Sequence, residues 1–188
     1  MFGIADVYTV FFIVLGILIA FPGMIALIVF SLPKLAERGR LRIELTPLAS
    51  FLTGLPIVTF GGLMAAGLMG SGGPLAAIGA AIAICIALLS LIGAAGMSLL
   101  IGRRMFGAAE TIPLKPVIMG ALAYKLAALF PIIGWLFLFP IELILTTGAG
   151  VFALLRWVPA QPKPHQPQAQ PTLINMPQPN SNPIQQNV

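Results

Sequence analysis

Apolar residues run in long blocks along this chain, over residues 7–32, 48–69, 75–101, 117–130 and 135–155, and the charged positions are confined almost entirely to the stretches between them. A helical block of about 20 apolar residues is what a hydrocarbon core of about 30 Å requires. The pattern therefore predicts an all-α, polytopic transmembrane helical bundle of about five spans within residues 1–158. Each block carries its own irregularity. Pro22-Gly23 falls near the middle of the first and predicts a kink or hinge. That block is too long for a signal-peptide core and has only Asp6 as a charge before it, which reads as a retained span. The second block is interrupted by Gly54-Leu55-Pro56 and Gly61-Gly62. The uncharged Gly70-Ser71-Gly72-Gly73-Pro74 that follows reads as a tight turn, since a phosphate cradle would need a Lys-Ser/Thr and a preceding strand.

The third block places Ala76, Gly79, Ala80, Ala83 and Ala87 on or beside one helical stripe, with Gly93 and Gly96 beyond. In lipid, small residues permit the close backbone approach that packs helices, so this helix is expected to be central, and the same faces offer a route to a homo-oligomer. The last two blocks form a hairpin about the tip Pro131-Ile132-Ile133-Gly134. Its first limb, residues 117–130, spans about 21 Å at 1.5 Å per residue, and its second, residues 135–155, about 31 Å. The hairpin is then either a thin fourth span with a full fifth one, or a re-entrant loop. After Trp157 the chain changes to Pro, Gln and Asn, and residues 159–188 are expected to form a disordered tail. Such a tail either solubilises the chain or offers an extended segment to a cytoplasmic protein partner.

Composition agrees with a lipid bilayer as the principal surroundings. The chain is 59% hydrophobic and 8% charged, with a mean hydropathy of +1.02, against a charged fraction of about 25% in soluble domains. The net charge of +5 does not indicate nucleic acid, because the basic residues lie at the ends of apolar runs. They bear on topology instead. Lys34, Arg38, Arg40 and Arg42 fill a short loop, Arg103 and Arg104 end the third block, and Arg156 follows the fifth. Short loops rich in Lys and Arg remain cytoplasmic, which predicts a cell inner-membrane protein with its N-terminus outside and its C-terminus in the cytoplasm. The first cluster also admits binding to anionic lipid headgroups, each basic residue contributing about 1 kcal/mol near the surface.

Candidate chemistry is sparse. Cys85 is the single cysteine, lies within an apolar run and is expected to be an inert core residue. His165, the single histidine, falls in the tail without companions. The acids Asp6, Glu37, Glu44, Glu110 and Glu142 are scattered, so no catalytic dyad, metal site or cofactor site is expected. Lys125 and Glu142 stand apart: both lie within the apolar hairpin, at comparable distances on either side of its tip. An ionisable group at membrane depth costs about 2.5 to 3.5 kcal/mol on insertion scales and by default marks a functional site. Mutual pairing, or snorkelling of Lys125 to an interface, is the structural alternative.

The motifs Gly54-Leu55-Pro56, Gly102, Lys115-Pro116, Gly120, Phe130-Pro131-Ile132-Ile133-Gly134-Trp135 and Gly148-Ala149-Gly150 follow one another in an order that resembles a known prokaryotic membrane module. That module is the four-helix one found at the C-terminal end of polymer-forming, bactofilin-like proteins, and the resemblance covers about residues 45–157. It implies a membrane module only, since the β-helical polymerisation domain is missing here and an extra N-terminal span is present. The residues taken together lead to a non-enzymatic membrane scaffold or assembly protein. The alternative is a small transporter or channel using Lys125 and Glu142.

Overall fold

The computed structural model describes residues 4–107, 114–130 and 132–157, and every regular element in them is helical. Pro131, Glu110, His165 and the tail over residues 159–188, with its expected disorder, lie outside the described residues. Helix α1 is Ile4–Ser31, α2 is Pro33–Leu45, α3 is Pro47–Pro56, α4 is Gly62–Gly70, α5 is Gly73–Phe106, α6 is Leu114–Leu129 and α7 is Phe139–Leu154. Four continuous helical segments among the described residues are long and apolar enough to cross a membrane: Phe11–Ser31, Pro47–Gly70, Gly73–Phe106 and Gly134–Leu154. The all-helical, multi-span architecture is the one that the apolar blocks predict.

Local sequence explains the irregularities. Pro22 sits inside α1 without ending it. The Gly54-Leu55-Pro56 and Gly61-Gly62 interruptions bracket one π-helical turn, Ile57–Gly61, which joins α3 to α4 as a single rod. A proline removes one backbone donor, and a wider turn is one way for the helix to continue past it. A second π-turn, Gly134–Leu138, leads into α7 just before Pro140.

One expectation is corrected. Residues 34–42 do not form a loop: they belong to the 13-residue helix α2, opened by Pro33 and separated from α1 and α3 by one residue at each end. Ala36, Gly39 and Ile43, spaced by three and four, make a narrow apolar stripe that is buried, while the charges occupy the flanks. A second correction concerns Cys85, which is exposed rather than buried. It lines a groove with Ile57, Phe60, Ile78 and Ile82 beside the first π-turn. In lipid an apolar side chain gains nothing by turning inward, so hydrophobicity does not distinguish the core from the perimeter.

Helix α5 touches every other helical rod. Gly79 lies against Ala65 and Met69 of α4, Gly93 against Thr146 of α7, Gly96 against Gly39 and Arg40 of α2, and Gly102 against Pro116 of α6. Reciprocal glycines complete the contacts: Gly150 of α7 meets Leu89, and Gly120 of α6 meets Ser98. Helices α3 and α7 meet in the same way, Gly54 against Ile144 and Gly148 against Ser50. Ala83 is only half-buried and Ala87 is exposed, so the close packing belongs to the glycines of the expected stripe and not to its alanines.

A Cβ on Gly54 would overlap the Ile144 carbonyl, whereas one on Gly62 meets nothing within 4 Å. Gly54→Ala should therefore destabilise the bundle by about 1–3 kcal/mol, the usual range for overpacking. Gly62→Ala should be neutral or slightly stabilising by helix propensity. Thermal unfolding of the detergent-solubilised protein separates the two, and equal effects would refute the backbone-contact account.

Candidate functional site

The hairpin of α6 and α7 is closed by a short turn. The Gly134 amide donates to the Phe130 carbonyl at 2.8 Å, and Ile132 adopts a left-handed conformation with φ 69. For a β-branched residue that conformation is strained. Gly134 is fitted to its place because a Cβ would sit 2.5 Å from the Ala128 carbonyl oxygen and 2.8 Å from that of Ala127. The limbs are unequal: α6 has 16 residues, about 24 Å, against 21 from Gly134 to Leu154. The side chains around the tip, Phe130, Ile132, Ile133, Trp135, Leu136 and Phe137, are all apolar and more than half exposed.

With the limbs held by that turn, Lys125 and Glu142 meet across the hairpin. Lys125 Nζ donates to Glu142 Oε1 at 3.0 Å. Their side chains retain only 16% and 12% of their exposure, so neither snorkels to an interface. Around them is a shell from four helices. The Lys125 ammonium stands 4.3 Å from the Phe21 ring centroid of α1 and 5.4 Å from that of Tyr124. Those two rings pack against each other at 6.0 Å. The buried Tyr124 faces Glu142 and Thr146. Thr146 Oγ1 donates to the Glu142 carbonyl at 2.7 Å and is 2.9 Å from Ser90 Oγ of α5. Thr147, also fully buried, donates to the Leu143 carbonyl at 2.7 Å.

Composition alone did not point to this second layer. Phe21, Tyr124, Ser90 and Thr146 are ordinary membrane residues. The signal was present only in spacing: Tyr124 adjoins Lys125, and Thr146 follows Glu142 by one helical turn, which carries it to the same face. Beside the pair is a groove of about 320 Å³ lined by Ile17, Lys125, Ala128, Leu129, Trp135 and Phe139, in which Lys125 is the single charged residue.

The topology residues gather at one end of the bundle. Lys34, Arg38, Arg40 and Arg42 lie on α2, Arg103 and Arg104 in the last turn of α5, and Arg156 just beyond α7 with φ 57. Two carboxylates neutralise part of the set. Arg40 bonds Glu37 at 2.8 Å and also pairs with Glu44, while Arg103 reaches Glu37 at 3.1 Å. Burial opposes the charge of Arg40, but Glu37 and Glu44 outweigh it and raise its pKa above the ordinary value. Arg42 has no such partner among the described residues, and burial lowers its pKa. No group of three or more His, Cys, Asp or Glu among the described residues is arranged to hold a metal ion.

No protein-family model, curated protein or solved structure matches this chain.

Removing one partner of a buried pair strands the other charge, at a cost of about 3–5 kcal/mol, whereas removing both is far cheaper. Lys125→Met and Glu142→Met should each destabilise the protein strongly, and the double variant should recover most of the loss. A double-mutant cycle on thermal unfolding measures the coupling, and strictly additive effects would mean that the pair does not hold the hairpin.

Proposed function

We propose that this chain is a non-enzymatic, multi-pass membrane scaffold or assembly protein. The observation that carries the reading is the closure of the polar groups around Lys125 on one another. Lys125 is taken up by Glu142 and two aromatic rings, and Thr146 by Ser90 and a carbonyl. A site that handles cargo needs polar groups left to offer, and here they lock α1, α5, α6 and α7 together. In this reading the charged end, with α2, faces the cytoplasm of an inner-membrane protein, the N-terminus lies outside, and the tail over residues 159–188 recruits a partner.

Deleting residues 159–188 should then remove the proteins that co-purify with the chain, while the Lys125→Met/Glu142→Met double variant keeps them. If the deletion leaves every co-purifying protein and the localisation unchanged, the scaffold reading falls. One observation favours a small transporter instead: the groove beside Lys125 is large enough for a small solute and has the charged residue in its wall. That reading gains if the double variant folds normally and yet loses the cellular function.

Orientation is tested separately, with Cys85 changed to Ala and single cysteines introduced at Ser71, Ile133 and Ser181. A membrane-impermeant thiol reagent applied to intact cells should label the Ser71 position and not the Ser181 position. The apolar, exposed tip belongs in hydrocarbon, so the Ile133 position should stay unlabelled from either side. Labelling at Ile133 from outside would make α6 a complete fourth span.

A further inference from the structure

Helix α2 is held at a boundary. It is joined by single residues to α1 and α3, the ends of two segments long and apolar enough to cross a membrane. With those two segments in a bilayer, its 13 residues lie at the boundary where both segments end. At 100° per residue, Ala36, Gly39 and Ile43 share the face that is buried. On one flank Glu37, Arg40 and Glu44 are tied to one another and to Arg103 of α5. On the other flank Lys34, Arg38 and Arg42 recur every four residues, and none has an ion-pair partner among the described residues.

Arg42 differs from its two neighbours in being fixed. Its guanidinium carbon lies 3.8 Å from the centroid of the Phe152 ring of α7, and its Nε is buried without a hydrogen-bond partner. Phe152 in turn packs edge-on against Trp157 at 5.8 Å, and Trp157, like Leu45 at the end of α2, is exposed. A planar cation oriented by an aromatic face, with exposed tryptophan and leucine beside it, combines bidentate phosphate recognition with an interfacial anchor.

We infer that the Lys34–Arg38–Arg42 row is a binding surface for anionic phospholipid, with Arg42 holding the headgroup phosphate against the α2–α7 junction. The occupant is a lipid rather than an acidic protein because the row lies along the bilayer edge, where headgroup phosphates are present at high density. The inference requires that α1 and the α3–α4 rod lie in a bilayer; it does not require that the chain be a scaffold.

The test uses the full chain purified in detergent, titrated with phosphatidylglycerol or phosphatidylcholine and read by native mass spectrometry. Wild type should retain phosphatidylglycerol in preference to phosphatidylcholine. Arg42→Gln should weaken that retention about fivefold, as expected for the loss of one interfacial cation, and Arg42→Lys, which keeps charge but not the planar fork, should be intermediate. Arg38→Gln, whose side chain makes none of the buried contacts of Arg42, should also weaken it, so a folding defect at Arg42 would not decide the matter. Arg104→Gln, exposed in the last turn of α5, should leave retention unchanged. Equal losses from Arg42→Gln and Arg104→Gln, or no preference between the two lipids, would overturn the proposal. Displacement of phosphatidylglycerol by millimolar inorganic phosphate would also overturn it, assigning the row to a soluble anion.

Discussion

Backbone-to-backbone contact at glycine is the constraint on which the rest of this bundle depends. In a bilayer, helices gain no hydrophobic free energy by meeting, and what remains is dispersion and dipole contact, both of which fall off steeply with distance. At Gly54, Gly93, Gly102, Gly120, Gly148 and Gly150 the partner is a carbonyl of the facing helix, so close that a single methyl group would occupy the same space. These contacts join α3 to α7, α7 to α5 and α5 to α6 in one chain of apposed backbones. The polar cluster depends on it. Ser90 and Thr146 reach one another at 2.9 Å because Gly93 and Gly150 bring α5 and α7 together at that level.

The ion pair illustrates which of several opposed terms decides. A lone charge at bilayer depth costs about 2.5 to 3.5 kcal/mol on insertion scales, and two would cost more than a hairpin of this size could easily recover. Pairing removes most of that cost, and a cation over an aromatic ring adds about 0.5 to 2 kcal/mol when desolvated. The net gain in stability over two apolar residues is then small. What the pair adds is specificity: among all the rotations that an apolar α6 and α7 could adopt, the one that joins Lys125 to Glu142 is set apart by several kcal/mol.

Much of this was legible in the sequence, for physical reasons that can be traced to particular residues. Block length and the absence of charge specify helices long enough to cross a membrane, and Gly54-Leu55-Pro56 and Gly61-Gly62 show where the second helix loses regularity, though not that a π-turn carries it through. The near-equal spacing of Lys125 and Glu142 about the tip followed from the same hairpin. Side-chain exposure was not legible: Cys85 and Ala87 face outward and Gly93 inward, though all three are small residues of one apolar run. Water would have sorted them by polarity, and lipid does not. Helix α2 was hidden for a related reason. Five charges in nine residues read as a loop when the alternative is a spanning helix, but a short helix packed on its neighbours needs only the narrow stripe of Ala36, Gly39 and Ile43.

The length of α5 connects these features. At 34 residues it extends about 51 Å, well beyond a hydrocarbon core of about 30 Å. An untilted helix of that length must project from the bilayer or find cover for its excess. Its buried residues show where the cover is: apart from Gly79 they begin at Gly93 and continue to Gly102, the half toward Arg103 and Arg104. There α5 is wrapped by α2, by the first turns of α6 and by the last turns of α7, whereas its first half lies mainly against α4. The bundle is therefore dense at the charged end and open at the other, where the groove beside Cys85 and the first π-turn lies. A helix crossing beneath α5 at Gly96, bonded to Arg103 through Glu37 and stacked on Phe152 through Arg42, ties that dense end together. The same helix that completes the packing is thus the one that carries the row of Lys34, Arg38 and Arg42 at the dense end.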